Sequence, residues 1–246
     1  MRKQIVVGNW KLNGSRALCE EFALGLGKFL SRESIVGELA ICPPAVYIDS
    51  LSSAMVINEV NVAVGAQNVA AQEKGAFTGE MSAAMIKEAG GSYAIVGHSE
   101  RRAMFGDTDE LVATKAAQVV AAGITPIICV GEELAVREAG NHLEFVGQQV
   151  SAALSQAQSA TLIVAYEPVW AIGTGNTANA AQVQEMHEHI RKVASASVNA
   201  ELTPILYGGS VNPSNAAELL GLPDVDGALV GGASLELEKF IAIAKR

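Results

Sequence analysis

The chain has 246 residues, a formal net charge of −9 and a half-hydrophobic composition, which by length suits one large domain or two small ones. It has no basic run, so the clustered Lys and Arg that nucleic acid demands are missing. No apolar run is long enough to span a bilayer or to form a signal-peptide core. Three scattered cysteines, Cys19, Cys42 and Cys129, read as reduced thiols and not as a disulfide frame or metal site. A cytoplasmic protein without nucleic-acid or membrane partners is expected.

Short apolar runs alternate with helical patterns along the whole chain. Ile5-Val-Val is the first strand, and Leu18, Phe22, Leu26 and Phe29 share a helical face. Leu39-Ala-Ile is the second strand, followed by a helix from Val46 to Asn58. Val60 to Ala66 is the third, followed by a long polar loop and a short helix from Ser82 to Ala89. Tyr93 to Val96 and a helix from Leu111 to Ala122 come next, the helix stopped by Gly123. Pro126 to Val130 is the fifth strand, and Leu143, Val146, Val150 and Leu154 mark its helix. Thr161 to Ala165 is the sixth strand, then a helix carrying Val183, Met186, Ile190 and Val193. Ile205-Leu-Tyr with a helix at Pro213 to Leu220, and Ala228-Leu-Val with a helix at Leu237 to Ala244, complete the chain.

Eight apolar strands separated by amphipathic helices imply a parallel sheet covered on both faces. Eight units in this length predict an α/β fold, a single (β/α)8 barrel over residues 1–246. The competing open doubly wound sheet usually carries G-x-G-x-x-G after its first strand; here Gly8-Asn9-Trp10-Lys11 follows it. In a barrel the residues after each strand share one mouth. Here they are Asn9 and Lys11, Gln67, His98 and Glu100, Cys129, Glu167, Gly208-Gly209-Ser210 and Gly231-Gly232.

Each of these has an ordinary reading alone. Lys11 by default is a solvated lysine, but it is a cation at the mouth of an acidic protein, suited to an anionic substrate and to developing negative charge; Asn9 can position the same oxygen. A lone histidine is usually structural. His98, however, sits at a strand end beside the start of a short helix, whose positive end disfavours the imidazolium. A neutral ring can donate to a substrate oxygen and take the proton back. His142, His187 and His189 fall on helical stretches and read as surface residues. Glu167 ends its strand at Pro168, and closure of the apolar Trp170-Ala171-Ile172 segment would dehydrate it into a stronger base. The glycines after strands seven and eight fit a phosphate cradle of backbone N–H groups. Base, electrophile, lysine and cradle together suit proton abstraction beside a carbonyl of a small phosphorylated sugar, with no metal or cofactor.

The motifs Gly8 to Gly14, Gly97-His-Ser-Glu-Arg-Arg102, Cys129-Val-Gly-Glu132, Ala165 to Gly175, Tyr207-Gly-Gly-Ser210 and Leu229 to Ser234 resemble, in order and over essentially the whole chain, the triosephosphate isomerase family. The TIM barrel takes its name from that family, and the glutamate base with a neutral histidine under a closing loop is the family's own worked case. The resemblance implies a homodimer that interconverts D-glyceraldehyde 3-phosphate and dihydroxyacetone phosphate through an enediol(ate), in glycolysis and gluconeogenesis. It implies Glu167 as base, His98 as electrophile, and Asn9 and Lys11 on the substrate with Glu100 in support. Trp10, Gly173, Ser210, Gly231 and Gly232 join the substrate and phosphate site. It also implies a lid of Pro168, Val169, Trp170, Ala171, Ile172, Gly173, Thr174, Gly175, Asn176 and Thr177. Gln67, Phe77 and Thr78, in or beside the long loop Gln67 to Glu80, are implied dimer contacts. Asn176 departs from the family's more usual lysine, and Leu12 and Phe77 from methionine and tyrosine. Another phosphosugar lyase or epimerase, or a catalytically inactive phosphosugar-binding or surface-adhesion barrel, are the alternatives. The lyase would need a strand-end lysine within the barrel, and the inactive barrel would have lost Glu167, His98 or Lys11.

Overall fold

The structure, a computed structural model, describes residues 2–156, 161–173 and 176–245. The eight apolar runs pair in chain order as a closed parallel barrel: β1 (Ile5–Asn9), β2 (Glu38–Cys42), β3 (Ala63–Ala66), β4 (Tyr93–Val96), β5 (Thr125–Val130), β6 (Ile163–Tyr166), β7 (Ile205–Tyr207) and β8 (Gly227–Val230). β8 returns to β1, with Ile5 opposite Gly227 and Gly8 opposite Val230. Around it lie α1 (Arg16–Leu30), α2 (Ile48–Ile57), α3 (Ala83–Glu88), α4 (Ser99–Phe105), α5 (Asp109–Ala121), α6 (Leu134–Glu138), α7 (His142–Leu154), α8 (Ala180–Ala194), α9 (Ala216–Leu219) and α10 (Leu237–Lys245).

Strand periodicity divides the core in two. Ile5, Val7, Cys42, Ile95, Ile127, Ile163, Leu206 and Leu229 fill the barrel. Their sequence neighbours, such as Val6, Ile41, Val96, Ile128 and Val164, face the apolar stripes of the helices. Because both faces are buried, the strands read as continuous apolar runs, not alternating ones. Several helix starts are fixed by side chains that accept an otherwise orphaned N–H. Ser15 accepts from Leu18, Ser82 from Met85 and Thr108 from Leu111, while Asn179 and Gln182 form a reciprocal box at α8.

Four local expectations need correction. β3 begins at Ala63, not Val60, because the Val62 N–H turns back to the Val60 carbonyl. The helix expected from Val46 is a 3₁₀ turn, Ala45–Tyr47, running into α2. That expected from Pro213 shrinks to the four residues of α9, because Asn212 and Asn215 tie the preceding segment into side-chain-capped turns. The histidines are not surface residues: His187 is wholly buried and His142 and His189 are half-buried in or near the seam between α7 and α8. The three cysteines are free and buried. Among the described residues no helix is long and apolar enough to cross a membrane.

Candidate active site

A cavity of about 390 Å³ opens at the carboxyl ends of the strands, lined by Asn9, Lys11, His98, Glu167, Gly173, Ser210, Gly231 and Gly232 among others. Its floor is polar yet buried: Asn9, His98 and Glu167 are each at most 6% exposed.

Glu167 leaves β6 with its N–H on the Val130 carbonyl of β5, at 2.8 Å. That approach leaves no room beside Gly131, where a side chain would collide with the Glu167 carbonyl. The carboxylate is held by three donors. Ser99 gives its N–H at 2.9 Å and its hydroxyl at 3.0 Å, and His98 Nε2 lies 3.0 Å from Oε1. The thiol of Cys129 below it is pushed up by burial and by the Glu167 charge, so it stays protonated.

His98 is the N-cap of α4, and its Nδ1 accepts the Glu100 N–H at 3.2 Å. A nitrogen that accepts cannot carry a proton, so the ring's one proton sits on Nε2, facing Glu167 and the cavity. The helix start thus selects the tautomer with its proton on Nε2 by geometry.

Lys11 has φ of 52°, a left-handed conformation rare outside glycine. Such strain costs on the order of 1–3 kcal/mol and persists only where surroundings enforce it. Here Asn9 Oδ1 accepts the Lys11 N–H at 3.0 Å, and Gln67 Nε2 donates to the Lys11 carbonyl at 2.8 Å and to that of Cys42 at 2.9 Å. The turn aims the ammonium at Glu100 Oε1, 2.5 Å away. Gln67, expected at a subunit contact, therefore has a task within its own chain.

Opposite the base, Gly231 begins a 3₁₀ turn, Gly232–Leu235. Trp10, expected among the substrate ligands, is instead a core residue. It is fully buried, edge-on to Phe22, and donates from Nε1 to the Ser234 carbonyl at 3.1 Å, holding this turn against β1.

The expected lid starts with buried Pro168, a 3₁₀ turn at Val169–Ala171, then Ile172 and exposed Gly173, and continues at exposed Asn176 and Thr177. Thr174 and Gly175 lie outside the described residues. Glu132 and Ser210 moor its first half, and the Val169 N–H adds a bond to the Glu132 carbonyl at 3.1 Å. Trp170 Nε1 donates to Glu132 Oε1 at 2.9 Å, an oxygen that also takes Arg137 Nε at 2.9 Å and Tyr166 OH at 3.0 Å. Ser210 Oγ donates to the Ala171 carbonyl at 3.0 Å.

A second recess of about 650 Å³ borders the first, sharing Asn9, Lys11 and His98 and adding Glu100, Gln67 and Phe105. Exposed apolar side chains at this end include Leu12 at 95%, Met104 at 73% and Phe105 at 66%. Thr78 and Phe77 are exposed on the long loop.

The sequence assigns no task to Ser99 or to the lid mooring Glu132, although both stand in quoted motifs. Ser99 was findable, since the residue after a histidine at a strand end opens α4 and presents its N–H to the mouth. Glu132 is a buried carboxylate whose three donors come from β6, α6 and the lid, and no local pattern announces that.

Comparison with known proteins agrees with this architecture. A family model described as triosephosphate isomerase matches residues 4–246. The chain is 48% identical to the triosephosphate isomerase of Albidiferax ferrireducens, with 99% of this chain and 98% of that one covered. It is 46% identical to that of Hydrogenovibrio crunogenus, covering 100% and 98%, and 48% identical to that of Porphyromonas gingivalis, covering 99% and 98%.

Proposed function

The chain belongs to the triosephosphate isomerase family, and from that premise we propose how its residues carry the reaction. It interconverts D-glyceraldehyde 3-phosphate and dihydroxyacetone phosphate. Glu167 removes a proton from the carbon beside the carbonyl and returns it to the neighbouring carbon. His98 donates from Nε2 to the carbonyl oxygen as it gains charge, then shuttles the proton between the two substrate oxygens. Lys11 offsets the negative charge of the enediolate and of the phosphate, with Asn9 beside it and Glu100 holding the ammonium in place. Gly173, Ser210, Gly231 and Gly232 offer N–H groups to the phosphate.

The observation that carries this reading is the facing pair, His98 Nε2 and Glu167 Oε1 at 3.0 Å across the cavity floor. A carboxylate satisfied by three donors is a poor base. A substrate that inserts its oxygens at His98 takes one donor away, and lid closure expels the water that would replace it. Substrate binding itself thereby frees the base. Glu167→Gln keeps the shape and removes the basicity. It should lower kcat by at least ~10²-fold in a coupled assay, with an unchanged circular dichroism spectrum. Near-normal turnover would remove Glu167 from the mechanism.

Residues 1–246 form one barrel domain in this reading, located in the cytoplasm, and two copies pair. The support for pairing is the apolar recess that reaches Lys11 and His98, with Leu12, Met104 and Phe105 exposed near it. The long loop carrying Phe77 and Thr78 would enter the partner's recess. Thr78→Arg should yield monomers and lower activity together, and a dimer in sedimentation would refute that loop assignment.

A further inference from the structure

His187 of α8 is wholly buried, and its ring lies between two tyrosines. The Tyr166 ring stands edge-on to it, with centroids 5.9 Å apart at 85°, and the Tyr207 ring is tilted, 6.4 Å away at 45°. These tyrosines are cross-strand partners at the last paired positions of β6 and β7. Each leads directly into the site. Tyr166 precedes Glu167, and its hydroxyl donates to Glu132 Oε1, the oxygen that also moors lid residue Trp170. Tyr207 precedes Gly208-Gly209-Ser210, and Ser210 holds the lid at Ala171. The Gly208 N–H on the Tyr166 carbonyl, at 2.7 Å, joins the two strand ends.

We propose that His187 is a positioning residue for the isomerisation, a ring wedged between Tyr166 and Tyr207 that sets the spacing of the base against both lid moorings. Its Nδ1 lies 3.3 Å from the Asp224 carbonyl, which also accepts Arg191 Nη2 at 2.9 Å. That contact satisfies the ring's polar need in the core. Nε2 has no hydrogen-bond partner among the described residues, and within the aromatic sandwich the ring acts by shape. The other charged groups nearby are Arg191 on the same helix and Asp224 and Asp226 before β8. Burial keeps the imidazole neutral at working pH. Edge-to-face aromatic contacts have defined geometry, unlike aliphatic packing, and that suits a spacer.

The inference rests on the isomerase reading, so wild-type protein is assayed beside each variant. His187→Asn keeps a donor near Nδ1 and removes the ring; His187→Phe keeps a ring and removes the donor. For each, isomerisation is followed by coupled assay at saturating triose phosphate, and inorganic phosphate release is measured in parallel. Phosphate appears when, under a poorly seated lid, the enediolate oxygen becomes a carbonyl and the electrons of the old C=C bond form a new C=C bond as the C–O bond breaks. Phosphate leaves with the electron pair, and the remaining enol takes up a proton on carbon and gives up its hydroxyl proton to become a dicarbonyl. His187→Asn should lose about tenfold or more in kcat, with KM little changed, and should release more phosphate per isomerisation. His187→Phe should stay within about threefold of wild type on both counts, since an ångström-scale misplacement is what costs rate here. A folded Asn variant with wild-type kcat and phosphate release overturns the proposal, as does a Phe variant as impaired as Asn. If the Asn variant does not fold, His187→Leu carries the same expectation and the same refutation. Failure of the wild type to isomerise would instead overturn the isomerase reading.

Discussion

Gly208→Ala tests how tightly the base is placed. Gly208 has no left-handed φ, so alanine brings no backbone strain. Its Cβ would lie 2.9 Å from Glu167 Cγ and 3.0 Å from the Tyr166 carbonyl oxygen, where ordinary contact begins at 3.4 Å. The carbonyl is fixed by its bond from the Gly208 N–H, so the Glu167 side chain has to yield, by roughly half an ångström or more. It is held by Ser99 and His98 at 2.9–3.0 Å. A shift of that size turns the carboxylate off its line to the substrate carbon, and since a misplacement of about 1 Å costs up to ~10²-fold, the loss here is roughly 10-fold or more in rate. The expected result is a loss of that size in kcat, with a fold intact by circular dichroism and a fall in melting temperature of only a few degrees. A Gly208→Ala enzyme with wild-type kcat would refute the argument that the base has no slack on this side.

Lys11→Met keeps the length of the side chain and removes its charge. It should lower kcat/KM by at least ~10²-fold, and a value within about threefold of wild type would show that the ammonium serves only its pair with Glu100. Burial of His187 lowers its proton affinity from 6.5 to about 4. The unfolded chain therefore binds the extra proton first, so stability is full above pH 6.5 and falls as pH drops toward 4. The loss is roughly 3 kcal/mol. Denaturant midpoints measured from pH 7 to pH 4 should show it in the wild type and not in His187→Phe.

The barrel was legible because its strands are buried on both faces, so runs such as Ile127-Ile-Cys-Val stand out without alternation. Strand ends in turn put Asn9, Lys11, His98 and Glu167 at one mouth. What stayed hidden depends on partners distant in sequence. Glu132 takes its meaning from Tyr166, Arg137 and Trp170, and Trp10 from the carbonyl of Ser234. α6 escaped notice because five residues carry little period. His187 was within reach: it continues the stripe of Val183, Ile190 and Ala194 at steps of four, three and four. Its polarity argued for the surface and the spacing argued for the core, and the spacing prevailed because the backbone carbonyl of Asp224 supplies the one polar contact the ring needs there.

The pairing of β1 with β8 has a consequence for biosynthesis. Ile5 finds its neighbour Gly227 only at the far end of the chain. At about 5–20 residues per second on the ribosome, the free side of β1 waits on the order of ten seconds or more, its N–H and C=O groups unpaired. Every incomplete chain presents such an edge, and open edges invite pairing with strangers. A truncated or stalled product of this gene would therefore be more prone to aggregate than the finished protein, whose last strand removes the edge altogether.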